Sequence, residues 1–330
     1  MPGCPVTRFY RKTAIRVKRR RPRAEYIALV KAETRSFYVR VVQGVIEHVA
    51  QHLDEALALD ALATRACLSP FHFHRVFRGM VGETPVELAR RLRMERGAWQ
   101  LANTPLSVTE IAFNAGFETH EAFTRAFRSC YGEPPSDFRR RGVRRTELAA
   151  TCGVHFDQRG VVPPFVPRDS GGRTMDVEIK KMPEQRVAAV RHVGPYNQIG
   201  QAFGRLGEIA GPAGLFTNPN AAMIALYHDD PESTPADELR SDAGVAVASG
   251  VALPNELAEH RLPAGRYAKT VHVGSYEKLG DTWARFLGEW LPESGKRLRD
   301  GPSYERYVND PRTTPKERLI TEIYVPIEGQ

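Results

Sequence analysis

The sequence predicts an α plus α/β multidomain protein: an all-α double helix-turn-helix half, followed by a duplicated α+β half with a central cleft. Three observations predict it. Apolar residues recur with helical period from Phe37 to about Arg141. Within that stretch a short helix, a turn and a basic helix occur twice, about 50 residues apart. From Met175 onward the chain repeats itself at an offset of 80.

At 330 residues the chain has room for two or three domains. Its charge is unevenly spread. Residues 1–150 hold 26 Lys+Arg against 15 Asp+Glu, and the remainder holds 21 against 24. A polyanion partner therefore belongs to the first half, although a solvated basic surface would give the same balance. Cys4, Cys67, Cys130 and Cys152 lie far apart, with no CxxC pair and no metal-ligand spacing. No metal and no cofactor is expected, and the cysteines fit a reducing, cytoplasmic location. No apolar run approaches the length needed to span a bilayer, so no membrane partner is expected. The N-terminus lacks the apolar segment of a secretory signal.

Residues 1–36 read as a basic, disordered tail. Arg16 to Arg23 (RVKRRRPR) within it could serve as a DNA-binding arm. Val41, Val42, Val45, Ile46, Val49 and Leu53 then form one helical stripe. Asp60 to Leu68 reads as a short helix with Leu62, Ala63 and Ala66 inward. Ser69-Pro70 supplies a cap and a favoured first position for the next helix, Phe71 to Arg78. Phe73, Val76 and Phe77 share one face of it, and Phe71, His74, Arg75 and Arg78 another. A helix from about Pro85 to Leu101 joins this unit to its second copy. There Ser107 to Phe117 makes helix and turn, with Gly116 suited to the left-handed turn position. Thr119 opens the helix His120 to Arg128. Arg75 and Arg125 hold equivalent places, as do Phe77 and Phe127, and Arg78 and Arg128.

Residues 37–141 resemble the DNA-binding domain of the AraC/XylS family of regulators. The likeness lies in Ile111 to Phe117, Phe123 to Arg128, and Tyr131 to Arg139 (YGEPPSDFR). It implies two helices entering successive major grooves of double-stranded DNA, with RNA polymerase as a further partner. Phe71, His74 and Arg75 are the first expected base-reading set, and His120, Glu121 and Arg125 the second. Arg can fork onto guanine, and Glu can accept from cytosine. Arg78, Thr119 and Arg128 are placed for phosphates, which position without specifying sequence. Phe71 could equally be a packing residue.

Residues 142–174, with Val161 to Pro167 and Ser170-Gly171-Gly172, read as a linker. In 175–330 the repeat aligns Arg186, Ala188, His192, Val193, Gly194, Tyr196, Gly200 and Arg205 with Arg266, Ala268, His272, Val273, Gly274, Tyr276, Gly280 and Arg285. Each copy reads as strand, HVGxY turn and helix. The expected closing strands are Met223–Tyr227 in the first copy and Leu319–Pro326 in the second. A cleft between duplicated halves is a common ligand site. The paired His192 and His272 precede turns in both copies, which points to structure rather than catalysis.

This half resembles the GyrI-like small-molecule-binding domain, through HVGPY (His192–Tyr196), Leu239 to Val245, HVGSY (His272–Tyr276), YERY (Tyr304–Tyr307) and Thr321 to Pro326. The resemblance implies a small, amphipathic or cationic effector and the layout of Rob-type regulators. Glu322 is its expected pocket carboxylate, with Tyr196, Tyr276, Trp283 and Trp290 as aromatic walls that attract a cation. Strand alternation would equally place Glu322 outside, and ordinary packing would equally explain the tryptophans. Some GyrI-like domains resemble small hydrolases, so Glu322 as a general base on an electrophile is the alternative. No catalytic residue is otherwise expected.

Overall fold

The computed structural model describes residues 23–142, 145–168, 175–217, 221–229 and 234–329. The basic run from Arg16 lies outside them but for the backbone of Arg23. The chain forms two packing units. One contains, of the described residues, 37–69 and 76–168. The other contains, of the described residues, 23–36, 70–75 and those from 175 onward.

The helices are α1 (Arg23–Gln51), α2 (Leu59–Ala66), α3 (Pro70–Val81), α4 (Pro85–Asn103), α5 (Val108–Asn114), α6 (His120–Tyr131) and α7 (Pro135–Arg141). Helix α1 starts at Arg23, well inside the stretch expected as tail. The two helix-turn-helix units share one turn geometry. After α2 the backbone turns through Cys67 at φ 55°, and after α5 through Gly116 at φ 80°. The left-handed region suits glycine, so the first turn holds the more strained residue.

Helix α4 starts on a reciprocal cap. Thr84 Oγ1 accepts from Glu87 N at 3.1 Å, and the Glu87 carboxylate accepts from Thr84 N at 2.8 Å. Ser107 and Glu110 build the same device at the start of α5. Met94, Ala98 and Leu101 of α4 pack with Ile111, Ala112, Phe123, Phe127 and Phe138 into one core. Phe127 lies at its centre, stacked on Tyr131 at 4.5 Å and edge-on to Phe138 at 5.2 Å.

Residues 145–168, expected as linker, run over this unit as a strap. Cys152, Val154 and Phe165 are buried. The strap is held by its backbone: Phe165 N donates to Gln43, Arg168 N to Met80 O, and Leu148 N and Phe156 N to the buried Glu95 carboxylate. His155 and Arg91 complete that carboxylate's shell.

Among the described residues, the second unit is built on one eight-stranded antiparallel sheet. Its strands are β1 (Glu178–Met182), β2 (Gln185–Val193), β3 (Met223–Tyr227), β4 (Arg240–Val247), β5 (Ala258–Leu262), β6 (Gly265–Val273), β7 (Tyr304–Tyr307) and β8 (Ile320–Ile327), in the order β1-β6-β8-β7-β3-β4-β2-β5. The offset of 80 carries β1 to β5, β2 to β6, β3 to β7 and β4 to β8. The copies thus meet centrally where β3 pairs with β7, and again where β1 pairs with β6 and β5 with β2. The expected equivalence of Met223–Tyr227 with Leu319–Pro326 is corrected: each copy has four strands, and β3 corresponds to β7. Helices α8 (Gly200–Ala210) and α9 (Leu279–Arg285) are likewise equivalent. In each HVGxY turn the glycine takes a positive φ, 134° at Gly194 and 136° at Gly274. The histidine ring meets the carbonyl three residues on at 3.1 Å, closing the turn.

One sheet face packs Ala188, Ala225, Ala243 and Val245 against Ala202, Leu206 and Ala210 of α8. The other carries Val187, Ala189, Ile224 and Leu226 with Tyr267, Tyr304 and Tyr324. The rings of Tyr304 and Tyr324 stack at 4.7 Å and 8°.

Candidate functional site

In the first unit, α6 is amphipathic in the way a groove-reading helix requires. Phe123 and Phe127 are fully buried, which anchors one face. Glu121, Arg125 and Arg128 are exposed on the rest, and His120 is half-buried. Thr119 is the N-cap, its hydroxyl accepting from Ala122 N at 3.1 Å, and its own O–H remains able to donate. These five residues run along one side of the helix, from its N-cap Thr119 to Arg128 in its last turn.

Helix α3 differs. Phe71 and His74 are buried, at 5% and 2% exposure, and Arg75 is half-buried. The Arg75 guanidinium lies 3.7 Å from the Phe71 ring centroid and donates to Phe71 O at 3.3 Å. Arg78 is exposed. The two arginines that match in sequence, Arg75 and Arg125, therefore differ in presentation. Of the two sets, the second stands on an open face.

In the second unit the notable group is Glu305 on β7, 2% exposed. Its place inside the YERY motif gives no sign of that burial. Its carboxylate accepts from Trp283 Nε1 at 2.7 Å and from Tyr307 Oη at 2.9 Å. Tyr307 meets Tyr227 hydroxyl to hydroxyl at 2.9 Å, and Phe203 and Tyr276 lie edge-on to its ring. Tyr196 packs edge-on to Tyr227 at 4.7 Å, with its hydroxyl donating to Asp229 O. The tyrosines are half-buried or exposed while the carboxyl group is buried, so the rings cluster around it, an arrangement called the aromatic cup below. Burial pushes the Glu305 carboxyl up from its ordinary value. Hydrogen bonds from Trp283 and Tyr307 and the positive charge of Arg75 oppose that without cancelling it.

Within the cup the duplication is broken at one carboxylate. At the offset of 80, Tyr196 matches Tyr276, Tyr227 matches Tyr307 and Phe203 matches Trp283, but Ala225 stands where the second copy has Glu305. One carboxylate thus serves a cup lined by both copies.

Two expected wall and floor residues are corrected. Glu322 is not the cup's carboxylate. It pairs across the ladders with Val271 and Arg306, which puts it on the sheet face opposite Glu305, whose partners are Ala225 and Ile323. There it takes Lys269 at 3.2 Å and Arg306 at 3.3 Å. Burial works to raise its carboxyl. The Tyr324 and Lys269 hydrogen bonds outweigh that and hold it low, which suits a general base poorly. Its counterpart Asp242 is held the same way, by Arg191, His228 and His260. Trp290 packs on Phe286 at 5.3 Å. The π-helical turn Phe286–Trp290 inserts a residue after α9, so a spacing of seven does not return Trp290 to the face of Trp283. Trp283 donates to Glu305, Tyr276 packs on Tyr307, and Tyr196 packs on Tyr227.

Among the described residues no group of three or more His, Cys, Asp or Glu is arranged to hold a metal ion. Among them also, no helix is long and apolar enough to cross a membrane.

Residues 175–328 match the model of the GyrI-like small molecule binding domain, and residues 62–141 match a helix-turn-helix domain model. The sheet half is similar to a DNA gyrase inhibitor of Yersinia enterocolitica, 36% identical over 142 residues, 41% of this chain and 86% of the relative. The helical half is similar to the regulatory protein SoxS of Salmonella typhimurium, 30% identical over 102 residues, 31% of this chain and 95% of the relative. Among solved structures, the EcmrR C-terminal domain aligns with 47% of this chain and 99% of its own, at 20% identity and a TM-score of 0.40. The chain belongs to the AraC family of helix-turn-helix transcription regulators and carries a C-terminal GyrI-like small-molecule-binding domain.

Proposed function

We propose that the aromatic cup around Glu305 binds a lipophilic, aromatic cation, and that this effector governs how the helical half reads its operator. The observation that carries the reading is a buried carboxylate, hydrogen-bonded by an indole and a phenol, at the floor of a cup of tyrosines. A cation entering the cup meets both aromatic faces and an opposite charge in a partly dry site, where each counts for more than in water. In the helical half, His120, Glu121 and Arg125 read bases, and Arg128 and Thr119 grip phosphates. Phe71, His74 and Arg75 are the other base-reading set, and Arg78 its phosphate contact. RNA polymerase is the partner through which bound DNA becomes a transcriptional output. The alternative activity, hydrolysis of an electrophile with Glu322 as base, draws no support from a carboxylate already paired with two cations.

Two measurements test this. Tetraphenylphosphonium, titrated into the full chain, binds, and the neutral triphenylphosphine oxide binds much less. Glu305→Gln lowers affinity for the cation by at least about tenfold and hardly alters that for the neutral compound. Equal loss for both ligands, or none, removes Glu305 from the site. On an operator selected from random DNA, Arg125→Ala costs about 1–3 kcal/mol and relaxes one base position. Undiminished affinity and selectivity remove Arg125 from base reading.

A further inference from the structure

Pro70–Arg75, the first half of the continuous helix α3, groups with the sheet residues, whereas Val76–Val81 groups with the helical unit. Several contacts tie it to the sheet unit. The Phe71 ring meets Trp283 edge-on, with centroids 5.3 Å apart and planes at 89°. The Arg75 guanidinium, stacked on Phe71, lies 5.3 Å from the Trp283 ring. His72 Nε2 and Ser303 Oγ are 2.7 Å apart, in a buried contact two residues ahead of Glu305. Trp283 is also the indole that donates to Glu305. An aromatic ring and a cation of the chain itself therefore already sit on the indole that an aromatic cation would use.

We propose that Pro70–Arg75 is an internal competitor of the effector, and that an effector taking the Trp283 side of the cup releases Phe71, His74 and Arg75 for base reading. The inference rests on the reading of the Glu305 cup as a cation site. Its thermodynamic content is a linkage. The docked segment lowers the apparent effector affinity by the fraction of molecules in which it is docked, and the effector raises operator affinity by the same coupling. The covered state of the first reading set then belongs to the effector-free protein. The positive charge of Arg75, felt at Glu305, is surrendered when the segment leaves and is replaced by that of the effector. Exchange of one cation for another spares the buried carboxylate an unpaired state, which would be costly.

The test uses the full chain and tetraphenylphosphonium, by calorimetry. Phe71→Ala removes the ring and is expected to tighten binding about tenfold, the scale of one aromatic pair. Ser303→Ala removes the His72 contact without touching the indole, and is expected to tighten it about threefold. Equal or weaker binding by both variants, with Glu305→Gln still impaired, overturns the competition and leaves the cup intact. No binding by the wild type or any variant overturns the cup and the competition together. A second readout is carbethoxylation of His72 by diethylpyrocarbonate, located by mass spectrometry. His72 is expected to be protected without ligand and modified at saturating tetraphenylphosphonium. Protection that persists at saturation sinks the proposal.

Discussion

Glu305 shows how one residue sets both the charge and the pH response of a site. Its carboxyl is raised by burial, so between the ordinary carboxylate range and that raised value the folded protein holds a proton that the unfolded chain has lost. Stability from this group is present at lower pH and declines as pH climbs through the window. Binding of a cation runs the other way, because it needs the ionised form. Tetraphenylphosphonium affinity should rise with pH across that window, by up to about tenfold per unit, and then level off. Titration calorimetry between about pH 4.5 and 8 checks this, and Glu305→Gln should give a flat profile. A rise of the same steepness in that variant would place the titrating group elsewhere. Buried His72 is shifted in the opposite sense, to about 3, by burial first and by the charge of Arg75 second. Its unfolded form takes up a proton near pH 6.5, so acid between those values erodes the folded state. Stability at about pH 4 should therefore recover partly in His72→Phe, as read from urea midpoints. An unchanged acid loss would show that His72 carries none of it.

At the scale of elements, the helices and their turns were legible because local chemistry dictates them. Glycine at position 116, proline at 70 and 85, and apolar residues at helical spacing each force one geometry. The HVGxY turns were legible for the same reason, through Gly194 and Gly274. What escaped depends on register and on long-range packing. Whether Glu322 or Glu305 faces the cup is decided by which residues pair across β7 and β8, and neither strand reveals that alone. A signal existed in the repeat. Glu322 has a carboxylate counterpart in Asp242 and so belongs to the scaffold, whereas Glu305 faces Ala225 and is particular to one copy. Trp290 escaped because an inserted π-helical residue broke the spacing. The strap escaped because its prolines resemble a linker, and its anchor is a glutamate in the middle of a distant helix. That anchor yields a prediction. Glu95 accepts from Arg91, His155, Leu148 N and Phe156 N while only 1% exposed. Glu95→Ala leaves those donors buried without an acceptor and should destabilise the helical unit by about 3 kcal/mol in urea. Limited proteolysis should then cut first within residues 145–168. A loss under about 1 kcal/mol would mean that the strap holds by its apolar residues alone.

Across the whole molecule, formal charge overstates what the helical half can offer to DNA. Arg91 is committed to Glu83 and Glu95, Arg93 to the carbonyls of Leu53 and Glu55, Arg96 to Asp54, and Arg139 to Leu101 O. These cations hold helix ends and the strap, and their commitment to the fold makes the exposed ones on α6 count individually. A phosphate contact and a base contact then separate by their salt response. Arg128→Ala should weaken operator and random DNA by a similar factor and reduce the steepness of log affinity against log salt by about one. Arg125→Ala should weaken the operator far more than random DNA. Fluorescence anisotropy over a range of salt concentrations distinguishes the two. An Arg128→Ala protein with unaltered salt slope would mean that α6 approaches the duplex by another edge, and the base-reading role of Arg125 would fall with it, since both lie on the same short helix and share one docking geometry.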